Sequence, residues 1–274
     1  MRKTTGIVAR KRFGQHFLAS SWAAKVAYAI GAQPSDVILE IGPGRGALTH
    51  LLSEAAARVL AFEIDRDLVP LLRQTAGPNV TVVEGDFLEV NAGAVRAALK
   101  DAGVAAETRL RVAGNLPYNV ASPILFKLLD LGADGLPLTD AVVMLQREVA
   151  DRLTAMPGTK EYGVLSILIR HKADVDRLLT LPPGAFRPQP KVHSAVARLR
   201  FHPPQPAPRQ PEVFERLTKA IFTRRRKTLA NALYAYKATG GDEALRRAGI
   251  DGRRRPETLD IPELVALADA FNEQ

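Results

Sequence analysis

Three glycines, three carboxylates and a short amide-proline-aromatic run stand at spacings that suit holding a nucleoside and aiming an amine at it. Gly42, Gly44 and Gly46 lie in ILEIGPGRGALTHLL, between an apolar run and a helical one. Glycines there permit backbone angles that side chains forbid, let a ligand approach the chain, and leave a helix N-terminus facing it. Glu63 in AFEID follows about 20 residues on, where a carboxylate can accept both hydroxyls of a ribose. The loop alone leaves the nucleoside open, because Gly42-x-Gly44-x-x-Ala47 also fits the dinucleotide fingerprint and with it a nicotinamide dehydrogenase.

Two further acids narrow the choice. Glu40 precedes the loop inside the apolar run, giving E-x-G-x-G-x-G, and an acid there can meet an ammonium group. Asp86 in EGDF can accept from an exocyclic adenine amine while Phe87 packs on the ring; taken alone, Asp86 reads equally well as a helix N-cap or turn residue. Adenine, ribose and ammonium together describe S-adenosylmethionine.

The stretch GNLPYN begins at Gly114. An aromatic exocyclic amine is a poor nucleophile because its lone pair is delocalised into the ring. The Asn115 side-chain oxygen and the Leu116 carbonyl can accept its two hydrogens and turn that lone pair outward. Pro117 fixes the backbone that aims the carbonyl, and Tyr118 offers a face on which a base can stack. Holding two reactants in attack geometry can supply roughly 7–11 kcal/mol of a barrier, so the reaction needs no strong general base.

These residues must be positioned by elements that alternate along the first two thirds of the chain. Val37–Ile41, Val59–Ile64, Val80–Val83, Leu110–Ala113 and Ala141–Leu145 read as strands, with helical stretches at Ala47–Ala57 and Leu68–Gln74 between them. Strands separated by helices imply parallel pairing with right-handed crossovers, hence a doubly wound α/β sheet. Ser194–Leu199 reads as a last strand, and the proline-rich HPPQPAPRQP at 202–211 reads as a stiff linker. Beyond it Pro211 suits a first helical turn, and Val213, Phe214, Leu217, Ile221, Leu229 and Leu233 recur at helical spacing. The expected organisation is a catalytic domain over 1–201 with a basic arm at 1–12, a linker over 202–211, and a small helical domain over 212–274.

The 274 residues contain no cysteine, which excludes disulfides, thiolate metal sites and cysteine nucleophiles. No apolar run approaches the length of a membrane span, and no apolar stretch follows the basic N-terminus, so a cytoplasmic protein without membrane contact is expected. The net charge of +9 is confined to the ends: residues 1–12 carry +5, Arg200 to the C-terminus +4, and the middle is neutral. Arms of this kind suit gripping a polyanion.

As an ordered set, E-I-G-P-G-x-G, AFEID, the Gly85-Asp86 pair, NLPYN, the N-terminal RKRFGQHFL and the later FRPQPKVHSAV resemble the KsgA-type small-subunit ribosomal RNA adenine dimethyltransferases. The resemblance implies a seven-stranded class I methyltransferase fold and S-adenosylmethionine as donor without a metal. It further implies N6,N6-dimethylation of two adjacent adenosines in a hairpin loop near the 3′ end of small-subunit rRNA. The immature small ribosomal subunit would be the partner, and the enzyme a monomer. The runner-up within the class is an Erm-type enzyme acting on large-subunit rRNA, and a ribosome assembly factor that acts mainly by binding is the reading from another class. Transferred by position, His16 and Leu18 would close over the methionine end of the donor, the family more usually having asparagine where His16 stands. Gly42, Gly44, Glu63, Asp86 and Asn115 would contact the donor. Asn115, Leu116 and Tyr118 would hold the target amine, with Phe186 covering the other face of the base. Arg10, Lys11, Arg12, Lys191 and the run Arg224, Arg225, Arg226 and Lys227, expected on an arginine-rich helix, would meet RNA phosphates.

Overall fold

The structure, a computed structural model, describes Arg10 and residues 15–271. The described chain falls into two compact units, one running up to residue 150 and resuming over 175–201, the other made of 151–174 and the chain from 202 onward. The strands are β1 (Phe17–Leu18), β2 (Val37–Ile41), β3 (Arg58–Glu63), β4 (Val80–Glu84), β5 (Leu110–Asn115), β6 (Leu138–Gln146), β7 (Ala173–Leu181), β8 (Phe186–Arg187) and β9 (Ser194–Phe201). The helices that connect them in the first unit are α1 (Ser20–Ile30), α2 (Ala47–Ala55), α3 (Leu68–Thr75), α4 (Ala92–Asp101) and α5 (Ala121–Ala133).

Seven strands form one sheet in the order β4-β3-β2-β5-β6-β9-β7, and β1 pairs with β8 in a separate two-stranded ribbon. β2 runs parallel to β3 and β5, β3 to β4, and β5 to β6, whereas β9 runs antiparallel to β6. Every residue of β2 is buried, as a strand covered on both faces requires. On one face Val26 and Ile30 of α1 and Leu48 and Leu52 of α2 pack against Ile38, Val59, Ala113, Val142, Met144 and Val196. Each such aliphatic side chain contributes about 1.5–3 kcal/mol by leaving water. The central strands match the apolar runs, with β6 starting earlier, at Leu138, and β5 continuing through Gly114 and Asn115. β7 was not legible as a strand: it lies at the sheet edge, and its Asp174 and Asp176 are charged and Asp174 exposed, a composition that protects an edge.

At the start of the central strands, Arg111 ties down α1. Its guanidinium donates to the carbonyls of Ile30, the last residue of α1 (2.8 Å), and of Gly31, its C-cap (3.1 Å), and pairs with Asp36 and Asp140 (both 2.7 Å). Cations at a helix C-terminus satisfy its orphan carbonyls and its dipole. Because β1 leads directly into α1, fixing this helix also fixes the chain that precedes it.

The second unit is helical: α6 (Arg147–Leu153) leads into it, followed by α7 (Val164–Arg170), α8 (Pro211–Phe222), α9 (Leu229–Leu233), α10 (Gly241–Ala248) and α11 (Ile261–Ala270). The expected first domain ran unbroken to residue 201, but residues 151–174 pack with the C-terminal helices instead. The cause is aromatic: Tyr162 stands against Phe222 with ring centroids 6.2 Å apart, and His171 against Phe214 at 4.5 Å. The linker is also drawn in, since His171 Nε2 donates to the Pro206 carbonyl at 2.7 Å. Burial holds the His171 imidazole below its usual range, against the pull of that carbonyl. Among the described residues no helix is long and apolar enough to cross a membrane.

Tyr162 is 1 % exposed and its hydroxyl donates to the Leu259 carbonyl at 3.0 Å. Tyr162→Phe leaves that carbonyl short of a donor, and a urea titration is expected to show a loss of about 1 kcal/mol with unchanged m.

Candidate active site

The glycine loop is organised by one carboxylate. Glu63, at the end of β3 and 3 % exposed, accepts from the Gly44 N–H through Oε2 (2.9 Å) and from the Asp65 N–H through Oε1 (2.8 Å). Gly44 has φ +61°, a conformation that strains any side chain, and a Cβ on it would lie 3.3 Å from the Phe17 ring, which would have to give way. Burial raises the Glu63 carboxyl above its usual range, and the Asp65 and Gly44 donors act the other way. Asp65, fully buried, extends the network: it takes the Arg10 guanidinium at 2.9 Å and the Gln15 amide at 2.8 Å, while Gln15 Oε1 accepts from the Arg10 N–H. Arg10, expected to meet RNA, is thus committed to Asp65 and to a close contact with Asp67.

Glu40 sits deeper in β2 and is 1 % exposed. Its Oε2 and the Thr49 hydroxyl are both buried without a hydrogen-bond partner. Burial pushes its carboxyl up to about 8, with the neighbouring Thr49 dipole opposing and the Glu63 charge assisting. A buried carboxyl oxygen left unpaired is costly, and its natural remedy is a cationic ligand.

The end of β5 carries a glycine for steric reasons, because a Cβ on Gly114 would lie 2.5 Å from the Ile41 carbonyl oxygen of β2. The next residue is oriented by a distant backbone: Asn115 Nδ2 donates to the His16 carbonyl at 2.8 Å. With its amino group so engaged, the Asn115 amide presents its acceptor oxygen away from His16. The Leu116 N–H donates to the Met144 carbonyl at 3.0 Å, fixing that peptide. The Tyr118 hydroxyl shares a 2.5 Å hydrogen bond with Ser194, and its ring is stacked on His16 with centroids 5.4 Å apart and planes at 25°.

These groups share one cavity of about 360 Å³, within the range of small-molecule sites. It is lined by His16, Leu18, Gly42, Gly44, Glu63, Asn115, Leu116 and Tyr118, as the sequence reading requires, and by Glu40. Two expected residues lie outside it. Asp86 is exposed and caps the turn that follows β4, its Oδ1 accepting from the Leu88 N–H at 2.9 Å. Phe186 is fully buried in the core cluster with Val26, Ile38 and Val196, so it is a packing residue and offers no face to a base. The ring that faces Tyr118 is His16. Sequence reasoning also missed Met144 and Arg187 in the lining, whereas Gln15 lines it as part of the segment expected to close over the donor. Arg187 and His16 arrive together because β1 pairs with β8, Phe17 opposite Arg187, and His16 Nδ1 donates to the Pro188 carbonyl at 2.7 Å.

A family described as ribosomal RNA adenine dimethylase matches residues 7–273. The chain belongs to this family. The ribosomal RNA small subunit methyltransferase A of Geobacter metallireducens is 45 % identical over 276 positions, spanning 97 % of this chain and 96 % of that protein. A dimethyladenosine transferase from Plasmodium falciparum shares the fold, with a TM-score of 0.75 at 24 % identity over 94 % of this chain and 98 % of that one. The 23S rRNA methyltransferase ErmE is less similar in structure, with a TM-score of 0.64 at 25 % identity over 93 % and 99 % of the two chains.

The basic residues expected for a dimethylase of this family are placed unevenly. Lys191 is exposed in the loop between β8 and β9. Arg224, Arg226 and Lys227 are exposed, but on the turn between α8 and α9 rather than on a helix. Arg225 is turned inward to Glu257 (2.9 Å) and the Lys160 carbonyl (3.0 Å). Lys11 and Arg12 lie outside the described residues. Among the described residues no group of three or more His, Cys, Asp or Glu side chains could hold a metal ion.

The elevated Glu40 pKa fixes a pH dependence. Between the ordinary carboxylate value of 4.5 and about 8 the unfolded chain loses this proton while the folded chain keeps it, so stability drains away as pH rises through that window. Glu40→Gln removes the loss, and its melting temperature is expected to exceed the wild type by a margin that grows from pH 5 to pH 8.5. A margin independent of pH would contradict the assignment.

Proposed function

We propose that the chain transfers methyl groups from S-adenosylmethionine to N6 of two adjacent adenosines in a hairpin loop near the 3′ end of small-subunit rRNA, giving N6,N6-dimethyladenosines during small-subunit assembly. The observation that carries this reading is the Asn115 amide, oriented by the His16 carbonyl, in the same cavity as Glu40 and Glu63. Family membership and the names of relatives about 45 % identical over nearly the whole chain favour the small-subunit RNA over the large-subunit one.

The donor supplies a methyl group made electrophilic by its sulfonium. Glu40, unpaired and buried, takes the ammonium of the methionine part and is ionised by it. Each Glu63 oxygen already accepts one backbone N–H, and its second lone pair is available to a ribose hydroxyl. Asp86 follows Gly85, whose N–H bonds the Glu63 carbonyl at 2.9 Å; the unused Oδ2 of Asp86 is the acceptor for an adenine amine just beyond the cavity.

Asn115 Oδ1 and the Leu116 carbonyl accept the two hydrogens of the target N6 and direct its lone pair at the donor methyl. Tyr118 contributes its ring face. Burial, opposed by the Ser194 hydrogen bond, raises its hydroxyl above the usual 10, so at neutral pH it is a neutral surface and no base. After the first transfer one N–H remains, and either acceptor can hold it while the second methyl is delivered. The cavity thus works by orientation, with the amine proton lost to water.

The exposed Lys191, Arg224, Arg226 and Lys227 are the residues through which RNA phosphates are met. They separate binding from chemistry. Asn115→Ala is expected to lower methyl incorporation into unmethylated small-subunit particles at least about 100-fold while particle affinity and its salt dependence stay within about threefold. Loss of particle binding with transfer intact would show that Asn115 holds RNA and does not aim the amine.

A further inference from the structure

Of the motif FRPQPKVHSAV, Arg187 lines the cavity itself, and Ser194 reaches it through Tyr118. Ser194 is fully buried, at the first position of β9, with its hydroxyl 2.5 Å from that of Tyr118. The register explains why this contact matters. Within β6, Met144 pairs with Asn115 on one side, and two residues on, Gln146 pairs with Ser194 on the other. The Leu116 N–H is tied to the Met144 carbonyl, and the Arg147 N–H to the His193 carbonyl, both at 3.0 Å. The end of β6 is thus a common frame that holds the amide by its backbone and the aromatic ring by its hydroxyl.

Tyr118 follows Pro117 after the strand has ended and before α5 begins, so no ladder bond fixes its side chain. The ring can swing about the Cα–Cβ bond, and two contacts hold it in place: His16 stacked on its face and Ser194 at its tip. A base that stacks on the face of Tyr118 covered by His16 must displace the His16 ring, because centroids 5.4 Å apart leave no room for a third ring at stacking distance. Once the His16 ring has moved away, Ser194 is the one of these two contacts that remains.

We infer that Ser194 is a positioning residue for methyl transfer, pinning the Tyr118 hydroxyl to the β6 frame so that the ring keeps its place when the target adenine replaces the His16 ring. The inference rests on the reading of Tyr118 as the stacking face. Ser194 touches neither donor nor base, and its effect passes entirely through the Tyr118 hydroxyl.

The test compares Ser194→Ala, Tyr118→Phe, the double variant and Tyr118→Ala in steady-state methylation of unmethylated small-subunit particles, with melting temperatures to show that each folds. Ser194→Ala and Tyr118→Phe remove the same hydrogen bond from its two ends. Each is expected to lower kcat about tenfold with KM for S-adenosylmethionine unchanged, and the double variant to be no slower than either single one. Wild-type kcat in Ser194→Ala, or effects that multiply in the double variant, would overturn the inference. If Ser194→Ala does not fold, Tyr118→Phe decides alone, and wild-type kcat there overturns it equally. Full activity in Tyr118→Ala is a separate failure, because it removes the stacking reading itself.

Discussion

The site depends first on the Glu63 carboxylate. A buried anion is tolerated only where donors surround it, and here the donors are the backbone of the glycine loop and the first turn after β3. One side chain therefore sets the shape of the loop and the place where a ribose can be met. Asp65 carries the constraint outward to Gln15 and Arg10, so the chain segment that covers the loop is held by the same strand end that forms its floor. Phe17 then lies on Gly44, with the Arg45 guanidinium 4.2 Å from the ring centre.

A second constraint begins at the other side of the same segment. The His16 carbonyl fixes which way the Asn115 amide faces, and the His16 ring covers Tyr118. Gln15 and His16 are adjacent, one bound to the donor side and the other to the acceptor side. The N-terminal segment is therefore the piece through which the two halves of the cavity are coordinated. A glycine loop followed by an acid would serve a dinucleotide equally well; the amide at the end of β5, oriented by His16, is what the proposed transfer to an amine rests on.

Much of this was legible in the sequence, for identifiable reasons. Strands buried on both faces announce themselves as apolar runs, so β2, β3, β5 and β6 could be read without pairing information, and the half-buried edge strand β4 shares their β-branched composition. Glycines with positive φ and an acid at the following strand end are local in sequence, as is Asn115-Leu116-Pro117-Tyr118. Contacts between distant short segments left no such trace. β1 and β8 are two residues each, and their pairing determines where His16, Arg187 and Phe186 go. Phe186 was misassigned because an aromatic residue in a proline-rich turn reads alike whether it faces a ligand or the core. Charge and position in the motif point Arg10 and Arg225 at RNA, whereas Asp65 and Glu257, 55 and 32 residues away, hold them in ion pairs. The change of unit at residue 151 was invisible because α6 carries the chain across it without a break.

The central claim is that Glu63 both shapes the loop and receives the ribose, and calorimetric titration of S-adenosylmethionine into Glu63→Gln tests it most directly. An amide can accept from only one of the two backbone N–H groups and must turn its own NH2 toward the other. The account expects affinity to fall at least about tenfold, as the loss of a charged hydrogen bond of about 1.5–3 kcal/mol requires, in a protein that still melts cooperatively. Wild-type affinity in that variant would contradict it.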